Sequence, residues 1–255
     1  MNHSGFSLVE LSIVLVILGL LTGGILGGQS LMHAAELRKV TLDIDRYKTA
    51  ILSFRDKYLG LPGDITNATR FWGGADADPT TCITTAGTDS ETCNGNGDGN
   101  ISRGAESYRS WQQLANANLL PGAFSGVPGP SPWGSNYFAD EIGTNIPSIY
   151  NERTGIVISK DWNKSHFWYQ NHPTGHVITI ATCCNGVQKN IEGNGVVPED
   201  AWHIDQKLDD GKADSGKVQI YRGYWPNCTT ANTSPANYVL SESAAECQML
   251  IDAGF

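Results

Sequence analysis

Apolar and polar residues follow three regimes along this chain. From Phe6 to Gly28 nearly every position is apolar or small, and the only charge is Glu10. A helix rises about 1.5 Å per residue, so this run reaches roughly 34 Å, enough to cross a bilayer core of about 30 Å. After Gln29 the apolar positions thin out to Leu37, Val40, Ile44, Tyr47, Ile51, Phe54 and Tyr58, in alternating steps of three and four. That is one stripe on a helical face, with Glu36, Arg38, Lys39, Asp43, Asp45, Arg46, Lys48, Arg55, Asp56 and Lys57 on the others. No proline falls between Phe6 and Leu61. The pattern therefore predicts one continuous helix of about 50 residues, roughly 80 Å long, that ends at Gly60 and Pro62-Gly63.

Beyond residue 60 the helical period is lost. Leu61-Pro62-Gly63-Asp64 opens an irregular, Asn- and Gly-rich stretch. Tyr108, Trp111, Leu114 and Leu119 share a face and predict a short helix over 106–119. Strands are predicted at 155–159, 166–170, 177–181 and 218–222, with a helix from Pro198 to Leu208 between the last two. Prolines 121, 128, 130 and 132 mark a surface loop. The fold class is thus α+β: a long N-terminal helix, half membrane-type and half amphipathic, packed on an antiparallel sheet head. The organisation is 1–5, a short polar leader; 6–28, the apolar half of the helix; 29–59, its amphipathic half; and 60–255, a globular head.

Composition sharpens this. The chain has 255 residues and a formal net charge of −9, which speaks against a nucleic-acid partner, since that grip needs clustered Lys and Arg. Seven Trp and nine Tyr speak against disorder. All six cysteines lie beyond the apolar helix, as in an exported, disulfide-bonded domain. Cys82 and Cys93 flank a small polar loop, and Cys228 and Cys247 bracket one rich in Thr, Asn and Ser; these are the expected bridges. The partners of Cys183 and Cys184 stay open among the pairings that six cysteines allow.

The N-terminal residues carry a sharper signal. Gly5-Phe6, an apolar run, and Glu10 as the fifth residue after the glycine resemble the N-terminus of the type IV prepilins, a family of pilins, minor pilins and type II secretion pseudopilins. The resemblance covers residues 1 to 30. It implies that a prepilin peptidase cuts after Gly5 and methylates the new Phe6 amine, leaving the helix as anchor. It also implies that Glu10 pairs with the Phe6 amine of a neighbouring subunit, which would relieve the cost of a carboxylate in an apolar layer. Gly19, Gly23 and Gly27, like Gly24 and Gly28, are four apart, which lets helices approach closely in lipid. Two departures stand out: the leader has no Lys or Arg, and Gly27-Gly28 sits where major pilins often carry proline. The implied partners are other pilin or pseudopilin subunits, the prepilin peptidase, an inner-membrane assembly platform and the membrane itself. The implied location is the inner membrane with the head outside the cytoplasm, then a filament.

Three head features invite chemistry. Asn94, Asn96, Asp98 and Asn100 put oxygens at every second position, with Gly99 and Ile101 following and Glu106 near the loop's end; this resembles a calcium-binding EF-hand loop, and calcium is the one cofactor it suggests. Asp209, Asp210 and Asp214 are a second acidic group, read as a solvated turn. His172 and His176 flank a predicted hairpin turn. No nucleophile elbow, zinc-protease motif or phosphate loop occurs. The expectation is a non-enzymatic filament subunit, a minor pilin or pseudopilin, with a tip-located adhesin and then a membrane-anchored enzyme as alternatives.

The Gly5-Phe6 junction yields a direct prediction. In a strain with active prepilin peptidase, intact-mass measurement should find the chain starting at a methylated Phe6. Replacing Gly5 with a bulky residue should leave residues 1 to 5 attached.

Overall fold

A computed structural model describes residues 8–78, 80, 82, 84–130, 139–151, 153–160, 175–182, 193–221, 227–231 and 234–255. Its first element, α1, is a helix over Leu8–Tyr58. It is followed by α2 (Thr69–Trp72), α3 (Ala105–Asn116), strands β1 (Thr154–Lys160) and β2 (His176–Thr182), α4 (Pro198–Leu208), and strands β3 (Val218–Tyr221) and β4 (Gln248–Asp252). The chain divides into two units, Met1–Lys39 and Val40–Phe255.

In the first unit the described residues are all helical, and the most apolar window of α1 has none of its surface buried. Leucine, isoleucine and valine side chains cover it on every side, from Leu8 to Leu31. A helix that is apolar all round needs an apolar surrounding.

The second unit has one core. Val40, Ile44, Tyr47, Ile51 and Phe54 of α1 are buried, so the stripe read from the sequence is the face turned inward. Tyr47 meets Trp111 of α3 edge-on at 5.2 Å, and Phe54 stacks near Trp72 at 6.1 Å. Lys48 lies beside this stripe, and its Nζ donates to the Asp252 carbonyl at 2.6 Å, pinning α1 to β4. Burial holds the Lys48 amine below the usual lysine range, and burial likewise raises the Tyr47 phenol to about 12.

The sheet is antiparallel throughout, in the order β1-β2-β4-β3. β1 and β2 pair over their full lengths, Thr154 opposite Thr182 and Lys160 opposite His176. Both strands are buried on both faces, which is why they read as continuous β-branched runs. β4 lies between β2 and β3, so the last strand of the chain sits inside the sheet. α4 spans the predicted range, with Pro198 in its first turn.

Several expectations shift. The sequence pattern missed β4 and α2, and its helix over 106–119 starts one residue late and runs three past the end of α3. α1 stops at Tyr58 because Leu59 turns left-handed, with φ of 60°. The predicted strand at 166–170, the leader, Cys183, Cys184 and Arg222 lie outside the described residues.

Phe54 tests whether α1 supports the head. Truncating a fully buried phenylalanine to alanine typically costs about 3–5 kcal/mol. Phe54→Ala should therefore lower the thermal midpoint of the detergent-solubilised protein sharply. Leu42→Ala, on the exposed side of the same helix, should leave it within about a degree.

Candidate functional site

Glu10 sits in the first turn of α1, the only acidic residue there. The polar side chains near it in the apolar half are satisfied within the helix. Ser12 Oγ donates to the Val9 carbonyl at 2.9 Å, and Thr22 Oγ1 to the Leu18 carbonyl at 2.9 Å. Nothing lies within 4 Å of where a Cβ would stand on Gly19, Gly23, Gly24, Gly27 or Gly28. The segment thus presents small steps and apolar side chains, with one carboxylate near its start. Gly5 and Phe6 lie outside the described residues.

In the head the polar centre is Asp64, which the sequence pattern passed over as part of a loop. Its Oδ1 accepts from the Gly97 and Asp98 amides at 2.8 and 3.1 Å, and its Oδ2 from the Gly99 amide at 3.0 Å. Burial pushes its carboxyl above the usual range, while the glycine amides pull it down. Gly63 has φ of 84°, and a Cβ there would come within 2.1 Å of the Glu106 carbonyl oxygen. Only glycine lets this turn lie against α3. Its amide donates to Gln113 Oε1 at 2.7 Å.

The residues read as an EF-hand-like loop are strung around Asp64, and their oxygens serve protein amides. Asn94 Oδ1 accepts from Thr69 at 3.0 Å, Asn96 Oδ1 from Asp98 at 2.9 Å, and Asp98 Oδ1 from Asn100 at 2.8 Å. Glu106 Oε2 accepts from the Ser102 amide and hydroxyl at 2.8 and 2.6 Å, which ties the loop to the first turn of α3. Asn100 Nδ2 donates to the Asp98 carbonyl at 3.4 Å.

His176 is no surface turn residue. It is 3% exposed, its Nε2 accepts from the Ile101 amide at 3.0 Å, and its Nδ1 meets the Phe255 carbonyl at 3.1 Å. His172 lies outside the described residues.

Among the described residues two disulfides close head loops. Cys82 bonds Cys93 with Cα atoms 6.0 Å apart, and Cys228 bonds Cys247 at 5.1 Å. Beside the first, Arg109 is 2% exposed and holds the loop by donating to the Cys82 and Thr85 carbonyls at 3.1 and 2.7 Å. Burial lowers its guanidinium to about 10.

The C-terminal acidic group differs from the expected one. Asp205, Asp209 and Asp210 bring carboxylate oxygens within 4.8 Å of one another. Asp214 instead accepts from the Ala236 amide at 3.0 Å. Asp205 is fully buried and accepts from the Tyr238 hydroxyl at 2.8 Å; Asp209 accepts from the Lys217 amide and Asp210 from the Lys212 amide. Burial is the main cause that raises the Asp205 carboxyl to about 7. Asp205 falls on the inner face of α4, with Ala201 and Ile204, and that spacing was the available signal.

A long N-terminal helix, an antiparallel four-stranded sheet and disulfide-closed loops define an α+β, pilin-like fold. Residues 1–26 match the family described as prokaryotic N-terminal methylation motif, so the chain opens with a type IV prepilin-type segment of the kind that pilin-like subunits carry. That family is structural rather than enzymatic. No curated protein and no solved structure matches the chain.

Asp205 sets a pH dependence. Its folded-state value of about 7 lies above that of an unfolded aspartate, so the folded protein holds a proton there that the unfolded chain releases. Its contribution to stability is full below about pH 4 and is lost as pH rises through 7. Asp205→Asn stays neutral throughout. Relative to wild type, it should gain on the order of 1–2 kcal/mol between pH 4 and 8, allowing for solvent screening. Thermal midpoints of both proteins across that range check the sign.

Proposed function

We propose that this protein is a minor pilin or pseudopilin, a subunit that assembles through its N-terminal helix into a type IV pilus or a type II secretion-like filament. The observation that carries the proposal is the match of residues 1–26 to the methylation motif on a helix whose apolar half is wholly exposed. Such a surface is stable in lipid before assembly and among other helices afterwards, and helix exchange between the two is the step that builds a filament. In this reading prepilin peptidase removes residues 1 to 5, an inner-membrane platform extracts the subunit, and the head lies outside the cytoplasm. The size of the head, well beyond what α1 needs for cover, favours a minor subunit or pseudopilin over a major one.

Glu10 carries the assembly step. A carboxylate in an apolar layer is costly unless an amine compensates it, and the free Phe6 amine of a neighbouring processed subunit is that amine. The pair fixes the axial register, because a subunit one helical step out of place would leave both charges in the apolar layer. Glu10→Leu should therefore give a processed, membrane-bound subunit at wild-type level that is lost from the sheared surface fraction, with release reduced by at least about tenfold. Equal release from both strains would leave anchoring as the helix's only role.

A further inference from the structure

A pocket of about 610 Å³ opens in the head where the end of α1, the turn around Asp64, the Asn/Gly loop and the start of β2 meet. It lies within the range of small-molecule sites. We propose that it binds a carboxylate-bearing saccharide.

The floor and the rim differ in a telling way. The floor holds Asp64 and His176, and both are engaged within the protein. The Asp64 carboxylate serves three amides, and both His176 ring nitrogens have partners. A metal or a reacting group would have to displace these bonds, so the floor is scaffold. The rim offers the Arg55 guanidinium, the Tyr58 and Thr66 hydroxyls and the Asn67 amide. Among the described residues none of these four side-chain groups has a hydrogen-bond or ion-pair partner. Three of them both donate and accept, as sugar hydroxyls require of their partners. Arg55 adds a planar fork suited to a carboxylate.

The apolar part of the wall fits the same ligand. The Tyr58 ring packs against Phe54 at 4.5 Å, Phe71 at 5.0 Å and Trp72 at 5.1 Å, with the Lys57 ammonium 5.0 Å over it, so its position is set before any ligand arrives. Sugar rings present C–H faces that pack on apolar lining such as Leu59 and Phe255 while their hydroxyls reach the polar rim. Leu59, also on the wall, is 91% exposed and left-handed at φ of 60°. That conformation is the one that ends α1, with the Leu59 amide donating to the Arg55 carbonyl at 2.8 Å. The chain's net charge of −9 gives no general attraction for acids, so selection of the carboxylate falls to Arg55.

The test needs no filament and so stands apart from the assembly reading. The full chain in detergent micelles is titrated with D-galacturonate and with D-galactose, which differ only at C6. Saturation-transfer NMR reports binding. Galacturonate should bind saturably in the millimolar range, the strength expected of a few contacts, and at least about fivefold more tightly than galactose. Arg55→Gln should abolish that preference while leaving galactose binding unchanged, and Tyr58→Ala should weaken both sugars. Arg55 is exposed, so its variant should keep the parent's circular dichroism and thermal midpoint. Absence of saturable galacturonate binding up to about 20 mM, or an unchanged preference in Arg55→Gln, would overturn the proposal.

Discussion

One helix must satisfy two surroundings, and the rest of the structure follows from how it does so. Up to Gly28, α1 is apolar on all sides, so no face of it distinguishes inside from outside. From Val40 the same helix narrows its apolar surface to a stripe, and the stripe is what the head is built on. Burial of Ile44, Ile51 and Phe54 contributes roughly 1.5–3 kcal/mol per side chain, enough to fix α1 as part of the core and not as an appended stalk. The change of pattern is thus the point where the helix stops being a membrane element and becomes a folding element.

The head then has to order long loops around a small sheet. Among the described residues four strands and three short helices bury one core, while the segments between them are rich in Gly, Asn and Asp. Loop backbone near a core needs hydrogen-bond partners that sheet or helix would otherwise supply. Buried side chains take that role here. Asp64 serves three successive amides, Gln113 serves Gly63, and Arg109 serves two carbonyls of the Cys82–Cys93 loop. Arg103, half-buried, forms an ion pair at 2.5 Å with the buried Asp140, which also takes the Tyr108 hydroxyl. The two disulfides restrict the unfolded chain, and the side-chain staples specify the folded one.

This division explains what could be read in advance. Helical periods exposed α1, α3 and α4, and short β-branched apolar runs exposed β1 to β3. β4 escaped because Gln248 and Asp252 bound a strand of only five residues, right after a polar loop, and α2 is a single turn with no period to find. The motif at the N-terminus was legible because the constraint on it is local: a glycine, an aromatic residue and a carboxylate at fixed spacing. Asp64 was not legible. Its importance depends on amides more than thirty positions away, and nothing in Leu61-Pro62-Gly63-Asp64 states that separation. The oxygen-bearing alternation of Asn94 to Asn100 was visible, and in the structure Asn96 and Asp98 also accept from the loop's own amides.

The same contrast accounts for where similarity to other proteins ends. The first turns of the apolar helix match a shared motif, which is a local constraint of spacing and residue type. The head faces no such narrow demand. Its loops need only satisfy their own amides, and a carboxylate, an amide side chain or a guanidinium can do so from many positions. Sequences can drift while each buried N–H keeps a partner, and the fold survives because the α1 stripe and the sheet hold the frame. Individual function therefore has to be sought in groups that the frame leaves unsatisfied, and the Arg55 rim is such a set: positioned by the stripe helix, yet unused by the scaffold beneath it.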